Sequence, residues 1–424
     1  MPDIPSPGSP TTPAAQAPAR PFNEARPVAA LPRALRRMLS LEDFEAAARR
    51  RLPRPVFGYV SGGVEDNVAL RGNRSVFDEL ALLPRTLVNV AGRSAGTTLF
   101  GQTYDLPFGL APMGGTSLAA YQGDLVFART AAEANIPMIQ SGASLMRLED
   151  VRAAGRTAWF QAYLPGEDGA ITTLVERVTR AGFETLVLTV DVPVQANREN
   201  NVRNGYDAPL RPTARMAWDC MTRPRWLCGM FLRTLLTHGM PHYENMGLRT
   251  PLMSRTAIRE RARRDHLNWE HVALMRRLWK GKLVLKGILD VADARRAREH
   301  GVDGIVVSNH GGRQLDGVVS PLRVLPAIAA EAGGMAVMID SGFRRGTDIL
   351  KALALGAQFV FVGRPFLYAA SVAGAEGLHH AIRLLKDELS RDMAMLGITT
   401  LAEMTRDRLL PAKGIGFLAA ADRR

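Results

Sequence analysis

The sequence is poor in cysteine and has no long hydrophobic segment. Only two cysteines, Cys220 and Cys228, occur in 424 residues, which argues against a disulfide scaffold and agrees with a reducing cytoplasm. No spacing of cysteine and histidine resembles a zinc site, so we expect no metal. No apolar run approaches the roughly 20 residues needed to cross a bilayer, and the N-terminus lacks the pattern of a signal peptide.

Basic residues outnumber acidic ones, and the formal net charge is +13. The simplest interpretation is solubility, but the charge also favours attraction to anionic lipid or to an anionic substrate or cofactor. Nucleic acid is the weakest candidate partner, because no basic segment carries the interleaved aromatic residues that stack on bases. A non-enzymatic basic protein that binds a membrane surface remains an alternative to an enzyme.

The N-terminal region predicts where order begins. Ser40 and Asp43 have the spacing of a capping box, so we expect a helix to follow them. Pro53 and Pro55 are then expected to break the helix, and the glycines after them predict a turn. We expect a disordered tail rich in proline at 1–35, one domain at 36–400 and a C-terminal extension at 401–424.

From Phe108 onward, short apolar runs alternate with amphipathic stretches of helical length. Continuous apolar strands separated by helices predict a parallel sheet that is covered on both faces. Eight such units favour a closed (β/α)8 TIM barrel over an open sheet, and no GxGxxG pattern follows the first strand. The predicted strands lie at 108–113, 137–141, 159–164, 185–191, 282–287, 304–309, 336–340 and 359–363.

A long insertion, at about 200–265, follows the fourth predicted strand. Within it, the segment RPRWLCGMFLRTLLTHGM (223–240) is apolar, aromatic and basic at once. One interpretation is a helix packed on the barrel or a lid over an active site. The other is an interfacial membrane anchor, whose aromatic residues and leucines enter lipid while its arginines meet lipid phosphate. The residues concerned are Trp226, Phe231, Arg223, Arg225 and Arg233.

Polar and ionisable residues follow nearly every predicted strand, at the end where barrels place their active sites. The most informative segment is SNHGGRQLDG (308–317), in which a histidine leaves an apolar strand before two glycines and an arginine. The glycines let backbone approach a ligand, and Arg313 can bind a carboxylate with its planar guanidinium. His310 alone could equally be structural, but beside Arg313 and Asp191, which ends the fourth strand, we interpret it as a catalytic base.

SNHGGRQLD resembles a signature of the FMN-dependent 2-hydroxy acid dehydrogenase and oxidase family, whose members include glycolate oxidase, L-lactate dehydrogenase and mandelate dehydrogenase. The similarity extends from about Leu41 to the C-terminal region. It implies FMN as cofactor, oxidation of an L-2-hydroxy acid of the lactate or mandelate type to the 2-keto acid, and a homotetramer. The other matching motifs are LTVD (188–191), LVLKG (283–287), IDSGFRRGTDILKALALGA (339–357) and VGRP (362–365).

The same resemblance implies a role for each matching residue. His310 takes a proton from the substrate, and Asp191 pairs with its imidazole. Tyr163 hydrogen-bonds the substrate oxygen, and Lys286 lies against the flavin. The substrate carboxylate is bound by Tyr59, Arg198 and Arg313. The flavin is held by Pro112, Met113, Gly114, Ser141, Gln161, Thr189, Lys286, Ser308, Asp340, Ser341 and Phe343, and its phosphate by Gly342, Arg344, Gly363 and Arg364.

The electron acceptor is suggested by Gly114, which falls where many oxidases of the family carry alanine and where dehydrogenases resembling mandelate dehydrogenase carry glycine. With the basic, apolar insertion, this glycine favours a membrane quinone over oxygen, and a cytoplasmic enzyme held peripherally on the inner face of the membrane. An oxidase that releases hydrogen peroxide and a different FMN- or phosphate-binding barrel enzyme remain alternatives. The sequence also leaves open whether the carbon hydrogen leaves as hydride or as a proton.

Overall fold

The structure is a computed structural model that describes residues 31–206, 213–247, 249–252 and 264–412. The tail predicted at 1–35 and the extension predicted at 401–424 therefore lie partly outside the described residues. Among the residues described, no helix is both long enough and apolar enough to cross a membrane.

Three helices precede the barrel: Leu41–Arg51 (α1), Arg54–Ser61 (α2) and Val68–Ser75 (α3). The first begins where the capping box predicts it, and Asp43 Oδ2 accepts the backbone N–H of Ser40 at 2.9 Å. The chain turns after Gly62 and Gly63, as the glycines predict, but the helix α2, which the sequence interpretation did not predict, occupies the segment before them. Pro53 ends α1, but Pro55 lies in the first turn of α2, where no backbone N–H is needed for a helical hydrogen bond. Tyr59 is therefore carried by a helix.

Eight parallel strands close into a barrel in which each strand pairs with the next and the last pairs with the first, as the predicted (β/α)8 fold requires. Nearly every strand residue is buried, which explains the uninterrupted apolar runs. The strands are Phe108–Leu110 (β1), Met138–Ser141 (β2), Ala158–Ala162 (β3), Thr185–Thr189 (β4), Lys282–Ile288 (β5), Gly304–Val307 (β6), Ala336–Ile339 (β7) and Phe359–Val362 (β8).

Helices surround the barrel and leave two hydrophobic layers. Side chains such as Trp159, Val284 and Met338 fill the barrel interior, whereas Phe160 and Leu186 belong to the layer between strands and helices. The helices are Thr116–Ala119 (α4) and Gly123–Glu133 (α5) after β1, Leu148–Ala154 (α6) after β2, Asp168–Arg180 (α7) after β3, Glu199–Arg203 (α8), Ala214–Met221 (α9), Pro224–Trp226 (α10), Arg233–His238 (α11) and Trp269–Leu278 (α12) after β4, Val291–Glu299 (α13) after β5, Pro321–Glu331 (α14) after β6, Gly346–Ala354 (α15) after β7 and Arg364–Leu396 (α16) after β8.

The insertion runs from α8 through α11 and a two-stranded sheet to the start of α12. Its central helix, in which a π-helical segment at Leu227–Leu232 joins α10 to α11, packs one face on the barrel. Trp226 is only 5% exposed, donates its indole N–H to Leu118 O at 2.8 Å and stacks on Phe231. The idea that Trp226 enters lipid is therefore wrong. The short strands outside the barrel are Leu80–Leu82 with Leu409–Pro411, Thr97–Leu99 with Gln102–Tyr104, and His242–Tyr243 with Thr250–Pro251.

Candidate active site

A cavity of about 260 Å³ opens at the carboxyl ends of the barrel strands. The predicted site residues that line it are Tyr59, Pro112, Met113, Gly114, Gln161, Tyr163, Thr189, Arg198, Lys286, His310, Arg313, Asp340, Ser341, Gly342, Phe343, Arg344, Gly363 and Arg364. The remaining predicted residues lie directly behind this lining, where Asp191 contacts His310, Ser141 bonds Gln161 and Ser308 bonds Lys286. The structure thus brings all of the predicted residues together.

His310 follows β6, and its imidazole Nδ1 lies 2.9 Å from Asp191 Oδ1. Asp191 can come this close because Gly287 has no side chain: a Cβ there would lie 2.6 Å from that of Asp191. Burial lowers the pKa of His310, although Asp191 opposes the shift. Burial acts to raise the pKa of Asp191, but His310 and Lys286 lower it overall. At neutral pH the imidazole is therefore neutral and donates Nδ1–H to an ionised carboxylate, which leaves a lone pair on Nε2.

Lys286 brings a buried ammonium group to the end of β5. Its Nζ lies 2.9 Å from Asp340 Oδ2 and donates a hydrogen bond to Ser308 Oγ at 2.8 Å. Burial acts to lower the pKa of Lys286, but Asp340 and then Asp191 raise it overall. The group therefore remains a cation inside the site.

Five arginines line the same cavity, and four of them were predicted: Arg198, Arg313, Arg344 and Arg364. None of these four forms a salt bridge with a carboxylate of the described residues. Arg313 instead donates to Gly62 O at 2.6 Å, and Arg198 donates to Arg313 O at 3.1 Å. Burial, reinforced by Arg198 and Arg364, lowers the pKa of Arg313 to about 9. The cavity thus has positive charge that these contacts do not neutralise, and it is suited to anions.

The loops after β7 and β8 form one end of the cavity. Gly342, with φ +90°, passes so close to α3 that a Cβ would lie 1.9 Å from Asn73 O, so only glycine fits. Arg344 and Arg364 line this end, and α16 starts at Arg364, directly after Gly363. A helix N-terminus beside two arginines favours an anion such as phosphate.

The structure adds lining residues that the sequence interpretation missed. Gln314 Oε1 accepts a hydrogen bond from Arg198 Nη2 at 2.5 Å and therefore orients that arginine. Ala143 lies two residues beyond the end of β2, so the strand-end pattern could have indicated it. Arg264 stacks over the Tyr163 ring, with Cζ 4.7 Å from the centroid. No local pattern could have found Arg264, because it reaches the site from the far end of the insertion.

Comparisons with known proteins agree with this arrangement. The family model for FMN-dependent dehydrogenases matches residues 48–411. (S)-mandelate dehydrogenase of Pseudomonas putida is 37% identical over 375 residues, covering 88% of this chain and 94% of that protein. L-lactate dehydrogenase of Pseudomonas entomophila is 39% identical over 379 residues, covering 88% and 98%. The crystal structure of the monotopic membrane protein (S)-mandelate dehydrogenase has a TM-score of 0.83 at 37% identity and covers 88% of this chain and 100% of that chain.

An eight-stranded parallel barrel with an arginine-lined cavity at the carboxyl ends of its strands defines a class of phosphate-binding barrel enzymes. Within that class, the chain belongs to the FMN-dependent dehydrogenase family. The resemblance seen in the motifs is confirmed, and so are FMN as cofactor and the assignment as an oxidoreductase.

The residues in the cavity fit FMN. Gln161 Oε1 accepts hydrogen bonds from Ser141 Oγ at 3.1 Å and from Gly142 N–H at 3.3 Å, which orients the amide. Gln161 Nε2 is buried with no partner among the described residues. An unpaired buried donor costs about 1–3 kcal/mol, so this amide is suited to an acceptor on a flavin ring. Lys286 and the arginines supply the cations that the phosphate and the electron-accepting ring of FMN require.

Proposed function

We propose that this enzyme oxidises an L-2-hydroxy acid to the corresponding 2-keto acid, with His310 as the base. The observation that carries the proposal is the convergence of the His310–Asp191 pair with Arg198 and Arg313 on one cavity. Lactate and mandelate, after which the relatives are named, are both 2-hydroxy acids, and this supports the substrate class.

The substrate carboxylate is bound by Arg198 and Arg313. A guanidinium presents paired N–H donors that match the two oxygens of a carboxylate, and these two groups have no carboxylate partner among the described residues. Tyr59 adds a hydroxyl beside them, because the Arg313 Cζ lies 5.1 Å from the Tyr59 ring centroid. Tyr163, which lines the same cavity, donates to the substrate oxygen. These contacts fix the orientation of C2, the carbon that is oxidised.

His310 Nε2 accepts the proton that leaves the substrate during oxidation. Because burial holds the pKa of His310 below its ordinary value, the imidazole is neutral and able to accept a proton before the reaction. Asp191 keeps Nδ1 protonated and, as a carboxylate, stabilises the imidazolium that forms. Base and counter-charge are therefore both in place before the substrate binds.

The flavin ring would be held by Gln161 and Lys286, and the phosphate by Arg344 and Arg364. When bound, FMN accepts the two electrons that leave the substrate carbon. Lys286 favours negative charge beside it, since Asp340 keeps its ammonium group charged although buried.

The visible spectrum of the purified protein tests this proposal. We expect a flavin absorbance that an L-2-hydroxy acid bleaches under nitrogen. His310→Asn should be bleached at least about 10²-fold more slowly, because a general base contributes about 10²–10⁴-fold to the rate. The matched control is His300→Asn, at the C-terminal end of α13 and outside the cavity, which should behave like the wild type. A bound flavin that no 2-hydroxy acid bleaches would refute the proposed function.

We further propose that the electrons pass to a membrane quinone and that the insertion holds the enzyme at an anionic membrane surface. Away from the barrel, the insertion exposes 64% of Trp218 and 87% of Leu236. Apolar side chains beside arginines are typical of helices that lie in a membrane interface. The solved (S)-mandelate dehydrogenase is described as a monotopic membrane protein, which supports this placement. The other exposed residues of this surface are Met221, Leu232, Met240, Arg215 and Arg225.

Sedimentation with lipid vesicles tests the membrane proposal. We expect binding to vesicles that contain phosphatidylglycerol, weaker binding to pure phosphatidylcholine, and at least a tenfold loss in a Trp218→Ser, Leu236→Ser double variant. Leu87→Ser is the matched control, because Leu87 is fully exposed but lies outside the insertion. Equal binding by the double variant would refute the membrane surface. Reoxidation of the flavin by air at the full turnover rate would instead favour an oxidase.

A further inference from the structure

Gln314, in the loop after β6, connects two residues of another loop on which the proposed function depends. It lines the cavity, directly after Arg313. Its Oε1 accepts a hydrogen bond from Arg198 Nη2 at 2.5 Å, and its Nε2 donates one to the main-chain oxygen of Asp191 at 3.3 Å. Both partners belong to the segment that follows β4, so one amide joins the loop after β6 to two points of the loop after β4.

The chemistry of the two partners allows only one orientation of the Gln314 amide. A guanidinium has donors and no acceptor, whereas a main-chain carbonyl oxygen only accepts. The amide oxygen must therefore face Arg198, and the amide nitrogen must face Asp191. In the reversed orientation donor would meet donor and acceptor would meet acceptor, so both hydrogen bonds would be lost.

One edge of the Arg198 guanidinium is held by the loop after β6. Nε donates to Arg313 O at 3.1 Å and Nη2 donates to Gln314, so two neighbouring residues hold the edge that Nε and Nη2 form. Among the residues described, none accepts a hydrogen bond from Arg198 Nη1. The edge formed by Nη1 and Nη2 is therefore the one left for the two oxygens of a substrate carboxylate.

The segment between Asp191 and Arg198 has little packing of its own. Residues 192–197 are all partly or fully exposed, and Val194 is 57% exposed. Buried apolar contacts therefore contribute little to the distance between Asp191 at one end and Arg198 at the other. Because Gln314 contacts both ends at once, it restricts how far apart they can lie.

The separation of these two residues matters for the proposed reaction. Asp191 Oδ1 lies 2.9 Å from His310 Nδ1 and orients the base, while Arg198 binds the substrate carboxylate. The carboxylate carbon is bonded directly to the carbon that is oxidised, so a shift of Arg198 relative to His310 moves the reacting atoms away from the base. A displacement of about 1 Å can lower a rate on the order of 10²-fold.

We propose that Gln314 is a positioning residue that holds Arg198, and with it the substrate carboxylate, at a fixed distance from the Asp191–His310 pair. This inference rests on the proposed function. Gln314 acts through Arg198 on the binding of the substrate and through the main chain of Asp191 on the placement of the base.

Gln314→Met tests the proposal, because methionine keeps the approximate length of glutamine and forms neither hydrogen bond. Flavin reduction under nitrogen is followed with L-lactate or L-mandelate, whichever the wild-type enzyme oxidises faster. We expect the apparent Kd to rise and the limiting rate to fall, each at least about 10-fold. The matched control is Gln358→Met, an exposed position directly before β8 at the opposite end of the barrel, which should behave like the wild type.

Arg198→Met and the double variant show whether Gln314 acts through Arg198. Once Arg198 is replaced, its hydrogen bond to Gln314 no longer exists, so Gln314→Met should then raise the apparent Kd less than about 3-fold. Binding of the corresponding 2-keto acid, measured by the shift of the flavin spectrum, repeats this comparison without turnover. An equal rise in Kd in both backgrounds, or unchanged kinetics in the single variant, would overturn the proposal and leave the proposed function intact.

Gln314→Asn is a second test, because a side chain one methylene shorter cannot reach both partners. It should change the apparent Kd and the limiting rate in the same directions as Gln314→Met. If both variants lost their bound flavin, Gln314 would be needed for the fold itself and the positioning role would be overturned. A wild-type flavin that no 2-hydroxy acid reduces would instead refute the proposed function.

Discussion

The buried side chain of Asp124 should make the stability of the folded protein depend on pH, by an amount that follows from the structure. This carboxylate, in the first turn of α5, is fully buried. Its Oδ2 accepts hydrogen bonds from the hydroxyls of Thr116 at 2.5 Å, Ser144 at 2.7 Å and Ser117 at 3.4 Å. Asp124 therefore joins the loop after β1 to the loop after β2, and these loops carry Gly114 and Ala143, which line the cavity.

Burial raises the pKa of Asp124 from 3.8 to about 6, although the three hydroxyls act to lower it. The folded state thus binds this proton more tightly than the unfolded state does. At 1.36 kcal/mol per tenfold in proton affinity, the difference amounts to about 3 kcal/mol. This contribution is complete below pH 3.8 and is lost as the pH rises to about 6. The ionised group therefore leaves the folded protein less stable at neutral pH than the protonated group would.

Asp124→Asn removes the titration and keeps the size of the side chain. The melting temperature of the variant minus that of the wild type should therefore rise by about 3 °C between pH 4 and pH 7, taking about 2.1 cal/mol/K of unfolding entropy per residue. Thermal scans of both proteins at matched pH values measure this difference. Ser144→Ala removes one hydroxyl that stabilises the Asp124 carboxylate. It should therefore shift to higher pH the range over which the contribution of Asp124 to stability is lost. If this difference in melting temperature stays constant or falls as the pH rises, ionisation of Asp124 does not destabilise the folded protein.

Three further substitutions test the polar contacts of the site. Asp340→Asn leaves the buried Lys286 ammonium without its carboxylate and should cost about 3–5 kcal/mol of stability, seen as a lower melting temperature and reduced flavin content; full flavin content would contradict this. Asp191→Asn should lower the rate of flavin reduction about 10²–10⁴-fold. Because Asp191 raises the pKa of His310, the acidic limb of the pH–rate profile should also move to lower pH, and an unmoved limb would exclude the pairing. Arg313→Lys should raise KM about 10- to 100-fold with a smaller change in kcat, since lysine cannot make the paired contact; unchanged steady-state kinetics would remove Arg313 from the carboxylate site.

Most of the fold follows from local patterns. The sequence predicts each of the eight strands within a few residues of its observed bounds, because strands that are buried on both faces are uninterrupted apolar runs between polar clusters. The regular order of strands and helices also predicts where the site residues lie. A parallel barrel brings the carboxyl ends of its strands to one rim, so Lys286 near the end of β5 and His310 after β6 can be placed near Asp340 without any long-range inference.

Contacts between distant segments do not follow from such patterns. The apolar and basic composition of the insertion indicates that one face meets something apolar, but it does not say which face meets the barrel. Trp226 is buried because Leu118, far away in the chain, offers a carbonyl at the right place. The position of Tyr59 likewise depends on α2. The two prolines in the sequence argue against a helix there, but Pro55 is tolerated because it lies in the first helical turn.

Two side chains at the rim adopt backbone conformations in which a local rule predicts glycine. His310 has φ +58° and Ser341 has φ +81°, and the left-handed region costs a residue with a side chain roughly 1–2 kcal/mol. Ser341 Oγ offsets this cost by donating to Asp340 Oδ1 at 2.8 Å and accepting the Gly311 N–H at 3.1 Å, each bond contributing roughly 0.5–1.5 kcal/mol. Since the two effects are similar in size, stability alone does not select serine. What serine adds is a fixed position for Asp340 and so for the Lys286 ammonium. The strain at His310 and Ser341 thus coincides with the rim that the motifs indicate as functional.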